Sequence, residues 1–158
     1  MEVAEHIFLS KRHRTYYRAC GPEHGPLIIM THGWPELSIS WRHQLSFLGD
    51  MGYRAVAPDM RGYGGSSIYS EHGAYCQREI VKDMIELIDG LGREKAVWIG
   101  HDWGSPVAWN VALQILASEG PRGFMRGWTA AYARAGPTFF IQMPIVEALR
   151  SAFGVEGL

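Results

Sequence analysis

Apolar residues along this chain follow two rhythms. Short, almost unbroken apolar runs at Leu27-Ile28-Ile29-Met30-Thr31, Arg54-Ala55-Val56-Ala57 and Ala96-Val97-Trp98-Ile99 predict parallel strands, the first of them central in its sheet. Between and behind them, apolar positions recur three and four residues apart. Trp41, Leu45 and Leu48 predict a helix with Ser38 or Ser40 as N-cap and Gly52 at its end. Ile80, Val81, Met84, Leu87, Ile88 and Leu91 predict a second, closed by Gly92. Val107, Ala108, Val111, Ala112, Ile115 and Leu116 predict a third, with Pro106 in its first turn, where proline is tolerated. Ahead of these, Ile7-Phe8-Leu9 and Thr15-Tyr16-Tyr17 predict a hairpin, with Lys11-Arg12-His13-Arg14 as a solvated basic turn between them. Towards the end of the chain, Trp128-Thr129-Ala130-Ala131-Tyr132 reads as one more strand, Ala135-Gly136-Pro137 as a turn, and Val146, Leu149 and Phe153 as one side of a short helix. Strands alternating with helices imply an α/β fold, a parallel sheet covered on both faces.

Composition narrows the classes of function. The 158 residues are 47% apolar and 20% charged, enough to build a core and unlike a disordered chain. A net charge of −1, with Lys and Arg scattered, excludes a nucleic-acid or anionic-membrane surface as partner. Cys20 and Cys76 lie far apart without metal-ligand spacing, so a reduced pair is expected and no metal site. With Glu2 and Glu5 after Met1 no signal peptide is expected, and no apolar run reaches the ~20 residues of a membrane span. A soluble, cytoplasmic protein is expected.

Candidate chemistry centres on Gly100-His101-Asp102-Trp103-Gly104. An apolar strand runs into a Gly-x-Asp-x-Gly turn and a helix starts at once behind it, the sequence form of a nucleophile elbow. Gly100 and Gly104 let strand and helix approach closely. The usual nucleophile at such a turn is serine, which needs a base. Asp102 is ionised at neutral pH without one. Attack by a carboxylate on an acyl carbon yields a reactive anhydride, whereas attack on a strained or activated saturated carbon yields a stable ester. Water activated by a base then hydrolyses that ester. Substrates of this kind are epoxides and alkyl halides, and no cofactor is called for.

A second motif, His32-Gly33-Trp34-Pro35-Glu36, follows the strand Leu27 to Thr31, where open α/β sheets bind ligands. Gly33 allows a sharp turn and Pro35 fixes it, which leaves the Trp34 amide free to face a reacting oxygen. With the Trp103 amide it makes a pair of oxyanion donors. The His32 side chain is expected only to hydrogen-bond backbone. Gly62-Tyr63-Gly64-Gly65-Ser66-Ser67 lacks the Lys and the spacing of a phosphate loop and is rejected as one.

His32-Gly33-Trp34-Pro35-Glu36, Ser40-Trp41-Arg42-His43-Gln44, Ala57-Pro58-Asp59-Met60-Arg61-Gly62-Tyr63-Gly64 and Gly100-His101-Asp102-Trp103-Gly104 together resemble, in order and spacing, the α/β-hydrolase-fold epoxide hydrolases, over residues 5 to 117. The resemblance implies Asp102 as nucleophile, the Trp34 and Trp103 amides as oxyanion hole, and an epoxide as the small-molecule substrate. His32, Pro35 and His101 take pocket or supporting roles, and Pro58 to Gly64 form a structural loop. The family's haloalkane dehalogenases share the Asp-Trp pair, but the HGWPE form and the SWRHQ run are more similar to the epoxide branch.

The family's base is a histidine well after the nucleophile, and its ring-opening acids are tyrosines on an inserted cap. Here the last histidine is His101, and Tyr132 falls too early for a cap. His101 adjoins the nucleophile and His32 lies in the oxyanion loop, so neither suits the base's task; Glu147 and Glu156 are assigned no role. The chain therefore reads as a partial α/β-hydrolase fold, with the cap and C-terminal half missing. Residues 1–130 would form the amino-terminal half of the core and 131–158 a remnant leading towards the cap. Two functions remain open: an enzyme half that needs its complement, and an incomplete module that acts by binding or by self-association through an exposed sheet edge.

Overall fold

The computed structural model describes residues 1–119. Two compact units divide the chain, Met1–Leu113 and Gln114–Leu158, and the sheet and candidate site belong to the first. The strand expected at 128–132, the turn at 135–137, the helix face of Val146, Leu149 and Phe153, and the segment 131–158 lie outside the described residues.

Five strands form one mixed sheet: β1 (Ala4–Leu9), β2 (Arg14–Cys20), β3 (Leu27–Thr31), β4 (Arg54–Pro58) and β5 (Val97–Gly100), in the spatial order β1-β2-β4-β3-β5. β4, β3 and β5 are parallel, with Leu27 opposite Arg54 and Ile28 opposite Val97. β2 pairs antiparallel with both β4 and β1. Three helices follow strands of the sheet: α1 (Arg42–Asp50), α2 (Gln77–Gly90) and α3 (Gly104–Glu119).

Side chains that alternate along the strands divide the core in two. Tyr17, Ala19, Leu27, Ile29 and Val56 pack with Leu87 and Ile88 of α2. Cys20, Ile28, Met30, Ala55 and Ala57 pack with Leu45 of α1. Helices thus cover both faces of the sheet. Ile29, Met30, Leu45, Val56 and Leu87 are fully buried, each stabilising the fold by about 1.5–3 kcal/mol relative to exposure. Every residue of β3 is buried, as a central strand requires. β5, which the apolar run puts in the same class, is only half-buried and leaves Val97 exposed, because it is the outermost strand among the described residues.

Two local expectations are corrected. Neither Ser38 nor Ser40 caps α1. A 3₁₀ turn, Ser38–Trp41, precedes the helix, whose N-cap is Trp41 without a side-chain bond. The Ser38 amide is instead taken by Asp59 Oδ1 at 2.8 Å. The basic turn is solvated only in part: Lys11, Arg12 and Arg14 are exposed, but His13 is buried and Arg12 is tied to the helix behind it. Arg12 bonds three carboxylates one turn apart on α2: Nη1 to Glu79 Oε2 at 2.6 Å, Nη2 to Asp83 Oδ1 at 2.8 Å and Nε to Glu86 Oε1 at 2.7 Å. His13 is 4% exposed and Asp83 1%. Asp83 also accepts a two-pronged bond from Arg61, Nε to Oδ2 at 2.7 Å and Nη2 to Oδ1 at 2.8 Å, the strongest form of such a pair. This buried cluster fastens the β1–β2 turn and the loop after β4 to α2. Cys20 and Cys76 are both free, the first buried and the second exposed.

Candidate active site

The turn from β5 into α3 is held by short backbone bonds and by the absence of side chains. The His101 amide extends the β3–β5 ladder to the Thr31 carbonyl at 3.1 Å. Behind it, the Gly104 amide closes on the His101 carbonyl at 2.8 Å and the Ser105 amide on that of Asp102 at 3.0 Å. A Cβ on Gly100 would lie 2.4 Å from the Gly104 carbonyl oxygen, and one on Gly104 would lie 2.3 Å from that of Thr31. Both positions therefore require glycine. Asp102 itself has φ +50°, in the left-handed region that L-residues rarely occupy. Such strain is characteristic of functional turns, and it lifts an exposed carboxylate to the end of the sheet.

The loop after β3 reaches across to that carboxylate. The Trp34 amide donates to Asp102 Oδ1 at 2.9 Å, and the Trp103 amide also hydrogen-bonds Asp102. Gly33 permits the approach, since a Cβ there would stand 2.4 Å from both Cβ and Oδ1 of Asp102. The peptide bond between Trp34 and Pro35 is cis, and the turn closes with the Glu36 amide on the Gly33 carbonyl at 3.0 Å. The Trp34 amide holds the Asp102 carboxyl below the usual carboxylate range; the Trp103 amide, and then the charge of His101, act in the same direction. A preformed carboxylate with backbone donors at one end can act as a nucleophile, and the same donors can receive an oxyanion.

Asp102 and the Trp34 and Trp103 amides are thus brought together, and the Trp34 and Trp103 side chains are exposed. His32 faces elsewhere. It is fully buried, Nδ1 donates to the Gly33 carbonyl at 2.8 Å, and Nε2 accepts from the Met60 amide at 3.0 Å. Both ring nitrogens are committed to backbone and burial pushes its pKa down, so His32 is a neutral strut under the loop. His101 lies at the rim, with Nδ1 3.4 Å from Glu36 Oε2.

Two residues escape a reading of the sequence alone. Glu36 belongs to a recognised motif, but its pairing with His101 depends on how two loops meet. Asp59 is buried and receives the amides of Ser38 and Gly65 at 2.8 and 3.0 Å, which ties the loop after β4 to the segment that carries Trp34. Its place in the Ala57 to Gly64 run, just ahead of a Gly-rich stretch, was the available signal. Among the described residues no group of three or more His, Cys, Asp or Glu side chains is placed to hold a metal, and no helix is long and apolar enough to cross a membrane.

The strained elbow, its carboxylate and the facing amides define a class, and comparison with known proteins agrees. The model of the alpha/beta hydrolase fold family matches residues 26–121, and the chain belongs to that family. Epoxide hydrolase A of Mycobacterium tuberculosis is 42% identical over 134 residues, 85% of this chain and 39% of the relative. Epoxide hydrolase 3 of Siraitia grosvenorii is 38% identical over 133 residues, 82% of this chain and 39% of the relative. The crystal structure of epoxide hydrolase A from Mycobacterium thermoresistibile superposes with a TM-score of 0.68 at 43% identity, covering 70% of this chain and 35% of that one. The chain spans about two fifths of the length of the curated relatives it matches over most of its own residues.

Proposed function

We propose that this chain carries the nucleophile half of an epoxide hydrolase, a cytoplasmic enzyme acting on a small-molecule epoxide. The observation that carries the reading is the Asp102 carboxylate at φ +50°, with Oδ1 held 2.9 Å from the Trp34 amide. In the first step a carboxylate oxygen attacks a ring carbon and forms a C–O bond. The carbon–oxygen bond of the ring breaks, its electron pair stays on the ring oxygen, and that oxygen takes a proton from an acid or from water. The product is a hydroxyalkyl ester of Asp102. In the second step a base removes a proton from water, the resulting hydroxide adds to Cγ of Asp102, and the Trp34 and Trp103 amides hold the oxyanion. Collapse releases a diol and restores the carboxylate.

No histidine follows Asp102 in this sequence, and His32 has both nitrogens engaged. His101 sits on the nucleophile's own turn, so no described residue is assigned as the base. By itself the chain should therefore stop at the ester. The names of the similar proteins support an epoxide rather than a halide as substrate. β5 is the outermost strand among the described residues, and its edge is where copies, or a complementary half, would associate; a sharp monomer peak in size exclusion would count against that part. The function is tested by incubating the chain with a small aryl epoxide and recording intact mass and diol. One added epoxide per chain, absent in Asp102→Asn and without diol release, is expected. Equal labelling of Asp102→Asn, or sustained diol production, would overturn the reading.

A further inference from the structure

His13 is a buried titratable side chain that the chemistry at Asp102 does not use. It sits where the β1–β2 turn, the loop after β4 and α2 meet. Arg12 faces it from its own turn, Arg61 and Tyr69 from the loop, and Asp83 and Glu86 from α2. Tyr69 Oη donates to the Arg12 carbonyl at 2.7 Å, so this oxygen accepts from His13 Nδ1, 3.0 Å away. Nδ1 therefore carries the proton of the neutral ring and Nε2 presents a lone pair. Nε2 is buried without a hydrogen-bond partner, 3.7 Å from Asp83 Oδ2. That oxygen is already taken by Arg61 Nε at 2.7 Å, while Oδ1 holds Arg61 Nη2 and Arg12 Nη2, each at 2.8 Å.

We propose that His13 is an acid-sensing latch: a proton gained at Nε2 sets the ring in competition with Arg61 for Asp83 and releases the turn and the loop from α2. A neutral ring fits the junction. A protonated ring becomes a third cation around one carboxylate, with its new N–H too far from Oδ2 to bond. Either Asp83 leaves the fork of Arg61, or the imidazolium stays buried with its new N–H unbonded, 3.7 Å from a carboxylate already shared by two arginines, and both are costly. Burial pushes the His13 pKa down; Arg61 and Arg12 act in the same direction, and Asp83 and Glu86 oppose them. Since the folded pKa lies below the unfolded one, the latch is fully stable above the unfolded value. It weakens as pH falls from there through the folded value.

Two amides report on the junction, because each joins the turn strand to the loop and loses its support when Asp83 lets go of both segments: Arg14 N–H to Ser67 Oγ and Tyr16 N–H to Ser66 Oγ, both 3.0 Å. The experiment follows the His13 Cε1–Hε1 signal of the whole chain by NMR as pH is lowered, together with hydrogen exchange at those amides. The signal is assigned by its loss in His13→Asn, whose amide retains a donor near Tyr69 Oη but cannot titrate. His13 should titrate below its ordinary value of about 6.5. After correction for intrinsic exchange, the two amides should exchange faster on acidification by up to about tenfold per pH unit, the limit for one proton. His13→Asn should lose that acceleration, although His6 and His32, which burial also pushes down, still titrate in it. Titration of His13 at or above its ordinary value overturns the proposal whether or not the variant folds. So does equal acceleration in His13→Asn and wild type.

Discussion

Gly33→Ala asks whether the placing of the nucleophile depends on the loop pressed against it. The added Cβ would stand 2.4 Å from Cβ and Oδ1 of Asp102 and 2.8 Å from its Cγ. Carbon atoms in contact prefer separations of about 3.5–4.0 Å, so the overlap exceeds about 1 Å. Neither backbone yields easily. Gly33 is anchored through its carbonyl to His32 and to the Glu36 amide, and Asp102 is pinned in its turn by the bonds of Gly104 and Ser105. Rotation of the Asp102 side chain can clear Oδ1 and Cγ but not Cβ, so one of the two backbones must shift as well, and either movement takes Oδ1 away from the Trp34 amide. A displacement of that size at a reacting group costs about 100-fold in rate. The assay is the second-order rate of adduct formation with an aryl epoxide, followed by intact mass, with circular dichroism as a check on folding. A folded variant alkylated about 100-fold more slowly is expected. An unchanged rate, with the adduct still on Asp102, would refute the argument.

Three further outcomes follow from other parts of the structure. Asp83→Ala leaves Arg61, 3% exposed, without its carboxylate; urea denaturation should show a loss of about 3–5 kcal/mol, and a loss near zero would contradict the account of the cluster. His32→Phe keeps a ring in place but strands the buried Met60 amide, so the same measurement should fall by about 1–3 kcal/mol. Asp102 is held below the usual carboxylate range, first by the Trp34 amide. Its alkylation should therefore persist as pH falls from neutrality to about 5, and a yield that halves at or above the ordinary carboxylate value of about 3.9 would contradict it.

Much of the first unit is legible in the sequence because its signals are local. Leu27 to Thr31 and the 80–91 stripe each declare their element within a few residues, and the Gly-x-Asp-x-Gly turn carries its own steric reason. What the sequence conceals is long-range pairing. Lys11 to Arg14 looks like a solvated turn because its partners, Glu79, Asp83 and Glu86, lie 67 to 74 residues away. Those acids recur along one side of α2 and resemble an ordinary solvated face. Ser38 looks like a cap, but its amide is claimed by Asp59 from another loop. Within the site, Asp102 and the Trp34 amide are readable from motif and chemistry. The Glu36–His101 pair is not, since it depends on the relative height of two loops at the rim.

Peptide mapping of the alkylated chain tests the central claim most directly. After exposure to excess aryl epoxide, the digest should contain one modified peptide, with fragment ions that place the added mass on Asp102 as a base-labile ester. Modification confined to Cys20, Cys76 or scattered histidines, with Asp102 untouched, would contradict the account.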